Sequence, residues 1–175
     1  CVLFGDGAGA AVVSPATEDG LALVDFSHEV DGSGGPALYM PAGGSLRPAS
    51  HETIDQRLHF VHQDGPTIFK FAVRKTVEIC HRVLRKNKLG PDDIDLLVSH
   101  QANRRIILSA ADRLGLDKNK VVINIERFGN TTAATIPLAL ADAVADGRLK
   151  KGARVLLTSV GAGFTAGAVL LRWAY

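Results

Sequence analysis

His100 and Asn130 stand where apolar runs give way to polar stretches. His100 follows "LLVS" and opens "HQANRR", while Asn130 follows "VVINIERFG" and opens "NTTAAT". Each side chain can donate a hydrogen bond to an oxygen, the imidazole through Nε2–H and the carboxamide through its NH2. Two such donors aimed at one point make a site for an enolate or a tetrahedral oxyanion. Each residue also has an ordinary structural role, as a satisfied core histidine or an asparagine N-cap. Their matching positions at strand ends favour the chemical role, because open α/β sheets bind ligands beyond the C-terminal ends of their strands.

A nucleophile is missing from this set. Cys1 and Cys80 are the two cysteines. Cys1 lies in a strand-like run and Cys80 on the apolar face of a long helical pattern, where a thiol is usually buried and inert. Two cysteines also make a disulfide framework or a Cys-rich metal site unexpected. His51, His59 and His62 do not form H-E-x-x-H, so no zinc site is expected. In "FGDGAGAA", Gly5, Gly7 and Ala10 fit G-x-G-x-x-A. The "AAVVSP" that follows reads as strand, not as the helix N-terminus that a pyrophosphate needs. The glycines therefore read as a tight turn where two strands approach closely. "GAGF" at 161–164 repeats the arrangement, and such turns can aim backbone N–H groups at an anion.

The elements that must position these groups follow from hydrophobic periodicity. Strand-like runs cover 1–4, 10–13 and 21–30, and a Gly/Pro/Ser-rich surface loop system follows at 31–50. A long helix is expected from Pro66 to Asn87, with Pro66 in its first turn and a solvated basic face of Lys70, Arg74, His81 and Arg85. A strand over Leu96–Ser99 leads to a helix over Asn103–Leu114, closed by Gly115. "KVVINI" reads as strand. The run from Thr131 to Asp146 reads as a small-residue helix that Pro137 would kink. "ARVLLTSV" and "AGAVLLRW" complete the series as strands. Alternating strands and helices imply a layered α/β domain with a largely parallel centre.

The 175 residues suffice for one domain with a real core, and 46% apolar with 22% charged residues is ordinary globular composition. Net charge is +2, without the aromatic and basic interleaving of a nucleic-acid binder. With only Cys1 and Cys80 and no disulfide framework, a reducing, cytoplasmic protein is expected; no apolar run is long enough to span a bilayer and no signal peptide is visible. "CVLFGDGAGAAVV" opens without Met, cap or turn, which leads us to expect the C-terminal part of something longer.

"SHQANRRII" and "RFGNTTAATIPLAL" resemble beta-ketoacyl-acyl carrier protein synthase III, the initiating condensing enzyme of bacterial fatty acid synthesis. "VLFGDGAGAAVV", "PAGGSLRPAS", "IFKFAVRK" and "SVGAGFTAGAVLL" extend the resemblance over essentially the whole chain. It implies the α/β thiolase-like fold, two βαβαβαββ halves in a five-layer α-β-α-β-α architecture. Residues 1–175 would form the C-terminal half. The nucleophilic cysteine of the family belongs to the other half.

The resemblance also implies roles. A primer acyl-CoA would load the cysteine, and malonyl-acyl carrier protein would decarboxylate and attack it. His100 and Asn130 would hold the malonyl thioester oxygen. The backbone of Ala162 would supply part of the oxyanion hole for the acyl-cysteine. Asn103, Gly65 and Phe69 would line the pantetheine tunnel, and Lys70 and Arg105 would dock the carrier protein, with Arg74, Arg104 and Arg113 as weaker additions. Coenzyme A and phosphopantetheine thioesters would be substrates, with no further cofactor, and the assembly would be a homodimer.

Some positions depart from the family pattern. Val160 and Ala166 are smaller than the aromatics of many relatives, which leaves the primer open between acetyl and a short branched group. Pro66 replaces a polar residue beside the tunnel, and Asp112 puts an acid in the carrier patch. Two alternatives stay open: a related enzyme of polyketide or quinolone synthesis, and a non-catalytic half that binds acyl-CoA or carrier protein.

Overall fold

The computed structural model describes residues 3–16, 18 and 20–175, so Cys1 lies outside the described residues. In chain order the elements are β1 (Leu23–Val30), β2 (Leu38–Tyr39), α1 (His51–Asp55), β3 (His62–Gln63), α2 (Gly65–Lys86), β4 (Leu96–Ser99), α3 (Arg104–Leu114), α4 (Ile125–Phe128), α5 (Thr135–Ala145), β5 (Arg154–Gly161) and β6 (Thr165–Arg172). The main sheet has the order β1-β6-β5-β4, and β2 pairs with β3 in a separate small ribbon.

Among the strands described in the main sheet, β4 and β5 run parallel, while β5 with β6 and β6 with β1 are antiparallel. The expected parallel centre is thus reduced to one pair. "GAGF" closes a hairpin between β5 and β6 and does not lead into a crossover, so the sheet turns antiparallel there.

Period-2 alternation assigns the faces. Leu97, Leu156, Ala168 and Leu170 pack against Ile79, Val83 and Leu84 of α2 and Ile107 and Ala111 of α3. Leu96, Val98 and Val155 pack against Ala139 and Ala143 of α5. Helices therefore cover both sides of β4 and β5. The near-continuous apolar run Leu96–Val98 is what a strand buried on both faces requires.

Local signals set the helix ends. Asp64 caps α2, accepting from the Thr67 N–H at 3.2 Å and from the Thr67 hydroxyl at 2.7 Å. Asn103 caps α3 from outside the helix, and Gly115 ends it in the left-handed region at φ 73°. Pro137 is the third residue of α5, in a first turn whose N–H groups have no partners within the helix, so the expected interior kink does not arise.

Among the described residues the strands expected over 10–13 and "KVVINI" do not form, and the run expected over 1–4 lies partly outside those residues. "KVVINI" makes a single parallel bridge, Leu97 to Val121, and its Val122 N–H donates to Leu97 at 3.0 Å. Beyond that point the Gln101 side chain takes the backbone groups of Val122, Asn124 and Ile125 that a ladder would have used. Among residues 3–16 the only bridge is Phe4 to Asn130. Val12 and Val13 are each 93% exposed.

Candidate active site

His100 is placed by the sheet. Ser99 pairs with Thr158, and the His100 N–H donates to the Thr158 carbonyl at 2.8 Å, which extends the ladder one residue past β4. The imidazole thus sits at the C-terminal ends of the one parallel pair. Its Nδ1 is buried without a hydrogen-bond partner among the described residues. Burial holds its pKa below the ordinary 6.5. An imidazolium would bury an N–H at Nδ1 with nothing to accept it, so the neutral ring with its proton on Nε2 is the favoured form. That form is a neutral donor.

Asn130 is placed by a turn. Gly129 at φ 69° ends α4, and the Asn130 Oδ1 accepts from the Thr132 N–H at 3.0 Å. This bond fixes the orientation of the amide and leaves Nδ2 as the group free to donate. The backbone of Asn130 is clasped as well: its N–H donates to Leu3 at 3.2 Å and its carbonyl accepts from Gly5 at 2.9 Å. The early glycines approach this turn and not a hairpin partner. A Cβ on Gly5 would lie 2.0 Å from the Phe128 carbonyl oxygen, and one on Gly9 would lie 2.3 Å from Pro137. The expected hairpin role of "GDGAGA" is corrected accordingly: the glycines let this segment lie flat on the turn that carries Asn130 and on the start of α5.

One cavity of about 480 Å3 brings the sequence-derived residues together. His100, Asn130, Asn103, Gly65, Phe69 and Ala162 all line it. No side chain in the lining carries a formal charge with histidine neutral, and Ile68, Ile106 and Val160 form part of its apolar wall. Fixed dipoles act strongly in such a setting once a bound substrate displaces its water. Asn103 Oδ1 is engaged by the Arg105 N–H at 2.8 Å, so its amide also presents Nδ2 as the spare group.

The basic residues lie outside. Lys70 and Arg105 are exposed and do not line the cavity. The Arg105 guanidinium lies 5.6 Å over the Phe69 ring, and Phe69 is part of the cavity wall. Lys70 borders a second recess with Asp31, Asp64 and Arg74. Ala166 is buried in the core beneath α2 and Pro66 is exposed in the first turn of α2, and neither lines the cavity.

Cys80 is buried, and burial pushes its thiol up to about 12, so it is not a nucleophile at neutral pH. Among the described residues no group of three or more His, Cys, Asp or Glu could hold a metal ion, and no helix is long and apolar enough to cross a membrane. Sequence reasoning passed over Gln101, which is 1% exposed. Its signal was a polar residue held between His100 and Ala102 immediately after a buried strand.

Residues 84–173 match the family described as 3-Oxoacyl-[acyl-carrier-protein (ACP)] synthase III C terminal. The Beta-ketoacyl-[acyl-carrier-protein] synthase III of Koribacter versatilis is 58% identical over 177 residues, covering 100% of this chain and 53% of the relative. The crystal structure of 3-oxoacyl-[acyl-carrier-protein] synthase III from Aquifex aeolicus superposes with TM-score 0.85 at 40% identity, over 99% of this chain and 51% of that one. The priming beta-ketosynthase of the R1128 polyketide biosynthetic pathway gives TM-score 0.82 at 33% identity, over 98% and 50%. The fold is that of a thiolase-like half, and the chain spans about half the length of the curated relatives it matches.

Proposed function

The chain belongs to the 3-oxoacyl-[acyl-carrier-protein] synthase III C-terminal family, and from that membership we propose that it supplies the malonyl-activating half of a decarboxylative condensing enzyme. The reaction joins a primer acyl-CoA to malonyl-acyl carrier protein and initiates fatty acid synthesis. The observation that carries the reading is the convergence of His100 and Asn130, two neutral donors, on one uncharged cavity.

The malonyl thioester lies with its carbonyl oxygen between His100 Nε2–H and Asn130 Nδ2. As the carboxylate leaves as CO2, the electron pair of the broken C–C bond moves onto that oxygen as an enolate. Donors already in place stabilise this charge without reorganising, and losing one typically costs about 3 kcal/mol in the barrier. The enolate carbon then attacks the acyl carbon held as a thioester, and the thiolate departs. The Ala162 N–H assists by binding the oxygen of that acyl group.

Nothing in this sequence of steps needs a metal or a redox cofactor. The acceptor thiol comes from outside the described residues, among which the one cysteine, Cys80, is buried and inert. Asn103 donates to the amide groups of the pantetheine arm, beside Gly65 and Phe69. Lys70 and Arg105 attract the acidic surface of the carrier protein and raise the encounter rate. The working assembly is a homodimer. The likeness to a priming polyketide synthase favours, as a second reading, the same chemistry on another pathway's carrier.

The test is condensation by the complete polypeptide that carries these residues. His100→Ala and Asn130→Ala should each lower turnover about 100-fold or more. Retained turnover in both would overturn the reading.

A further inference from the structure

Gln101 sits between the two halves of the donor pair and touches neither substrate cavity nor solvent. Its side chain makes all the hydrogen bonds that an amide offers. Nε2 donates to the Ser99 carbonyl at 2.9 Å and to the Val122 carbonyl at 3.0 Å. Oε1 accepts from the Asn124 N–H at 3.0 Å and the Ile125 N–H at 3.2 Å. Two carbonyls face the nitrogen and two N–H groups face the oxygen, so the amide has one orientation. Its own N–H donates to Thr135 Oγ1 at 2.7 Å.

These partners belong to three elements. Ser99 ends β4, next to His100. Asn124 and Ile125 start α4, the short helix that delivers Gly129 and Asn130. Thr135 starts α5, and Asn124 Nδ2 ties back to α5 through Asp142 Oδ2 at 2.7 Å. α4 lacks a side-chain cap of its own, and the Gln101 oxygen satisfies its first free N–H groups from across the chain. A single rigid amide thus joins the strand end that bears His100 to the helix that leads into Asn130.

We infer that Gln101 is a positioning residue that sets the spacing of the His100 and Asn130 donors, an inference that rests on the function proposed above. Glutamine is the side chain this place requires. Glutamate would set a second oxygen against two carbonyl oxygens, asparagine is a methylene short, and methionine fills the volume but leaves four backbone groups without partners.

The test separates malonyl decarboxylation from primer transfer in the complete polypeptide. Gln101→Met should lower CO2 release from malonyl-acyl carrier protein by about 100-fold, with KM for the carrier substrate within about threefold of wild type. Transfer of the primer from acyl-CoA to the enzyme thiol should change less than about fivefold, since it does not use the donor pair. In an Asn130→Ala background the same change should cost less than about threefold, because the geometry it protects is already lost. Equal losses in both half-reactions, or the same loss in both backgrounds, overturn the inference. If Gln101→Met does not fold, Gln101→Glu and Thr135→Val carry the same comparisons and the same criteria. Wild-type activity in His100→Ala and Asn130→Ala would instead overturn the function itself, a distinct result.

Discussion

Gly5 donates its N–H to the Asn130 carbonyl at 2.9 Å, and its Cα lies so close to α4 that a Cβ would meet the Phe128 carbonyl oxygen at 2.0 Å. The clasp is a backbone contact that only glycine permits. Gly5→Ala must push either this segment or the Asn130 turn aside. The expected result is a loss of about 1–3 kcal/mol in unfolding free energy, measured by urea denaturation, together with slower malonyl decarboxylation. Primer transfer, which does not depend on the turn, should be largely kept.

Burial holds His100 below the ordinary 6.5 in the folded state. Between that lowered value and 6.5 the unfolded chain binds more protons than the folded one, so stability rises with pH through this window and is complete above it. Acidification through the window should therefore destabilise the wild type more than His100→Ala. Thermal unfolding of both proteins from about pH 5 to pH 8 checks this. The acid limb of malonyl decarboxylation should fall below 6.5 for the same reason: the imidazole must be neutral. An acid limb above 6.5 would contradict the assignment.

Lys70 and Arg105 lie outside the cavity, so their charges should act on encounter and not on the chemical step. Lys70→Glu and Arg105→Glu should each raise KM for the carrier substrate by about tenfold at low salt, with kcat within about twofold. The difference should shrink as ionic strength shortens the screening length to roughly 8 Å. Arg105→Glu also removes the guanidinium from the Phe69 ring, so its effect should retain a part that salt does not erase.

Cys80 is buried with its thiol pushed up to about 12. It should resist alkylation by iodoacetamide until the protein is unfolded, and Cys80→Ala should leave condensation by the complete polypeptide within about threefold. The 175 residues by themselves should not condense acyl-CoA with malonyl-acyl carrier protein; turnover by this segment alone would show that the acceptor thiol is already within it.

Much of this site was legible because its parts obey local rules. Leu96–Ser99 read as a strand, Asn103 and Gly115 bracketed a helix, and Pro66 marked the first turn of another. His100 stood out because a polar ring ends an apolar run. What stayed hidden depends on contacts far apart in sequence. "KVVINI" has the composition of a strand, but a buried side chain 21 to 24 residues earlier captures its backbone, and no periodicity encodes that. The early glycines carried a correct message, close approach, but not its address: the partner is the Asn130 turn, over 100 residues away. The parallel centre was overestimated because "KVVINI", expected as one of its strands, makes only a single parallel bridge to β4.

The donor pair itself is tested most directly by Asn130→Asp. The aspartate keeps an oxygen to accept the Thr132 N–H now held at 3.0 Å, so the turn is preserved while the donor becomes an acceptor. Single-turnover CO2 release from malonyl-acyl carrier protein, measured on the complete polypeptide, should fall by about 100- to 1000-fold with the unfolding midpoint nearly unchanged. Release at the wild-type rate would mean that the carboxamide gives nothing to the developing oxyanion, and the account would be wrong.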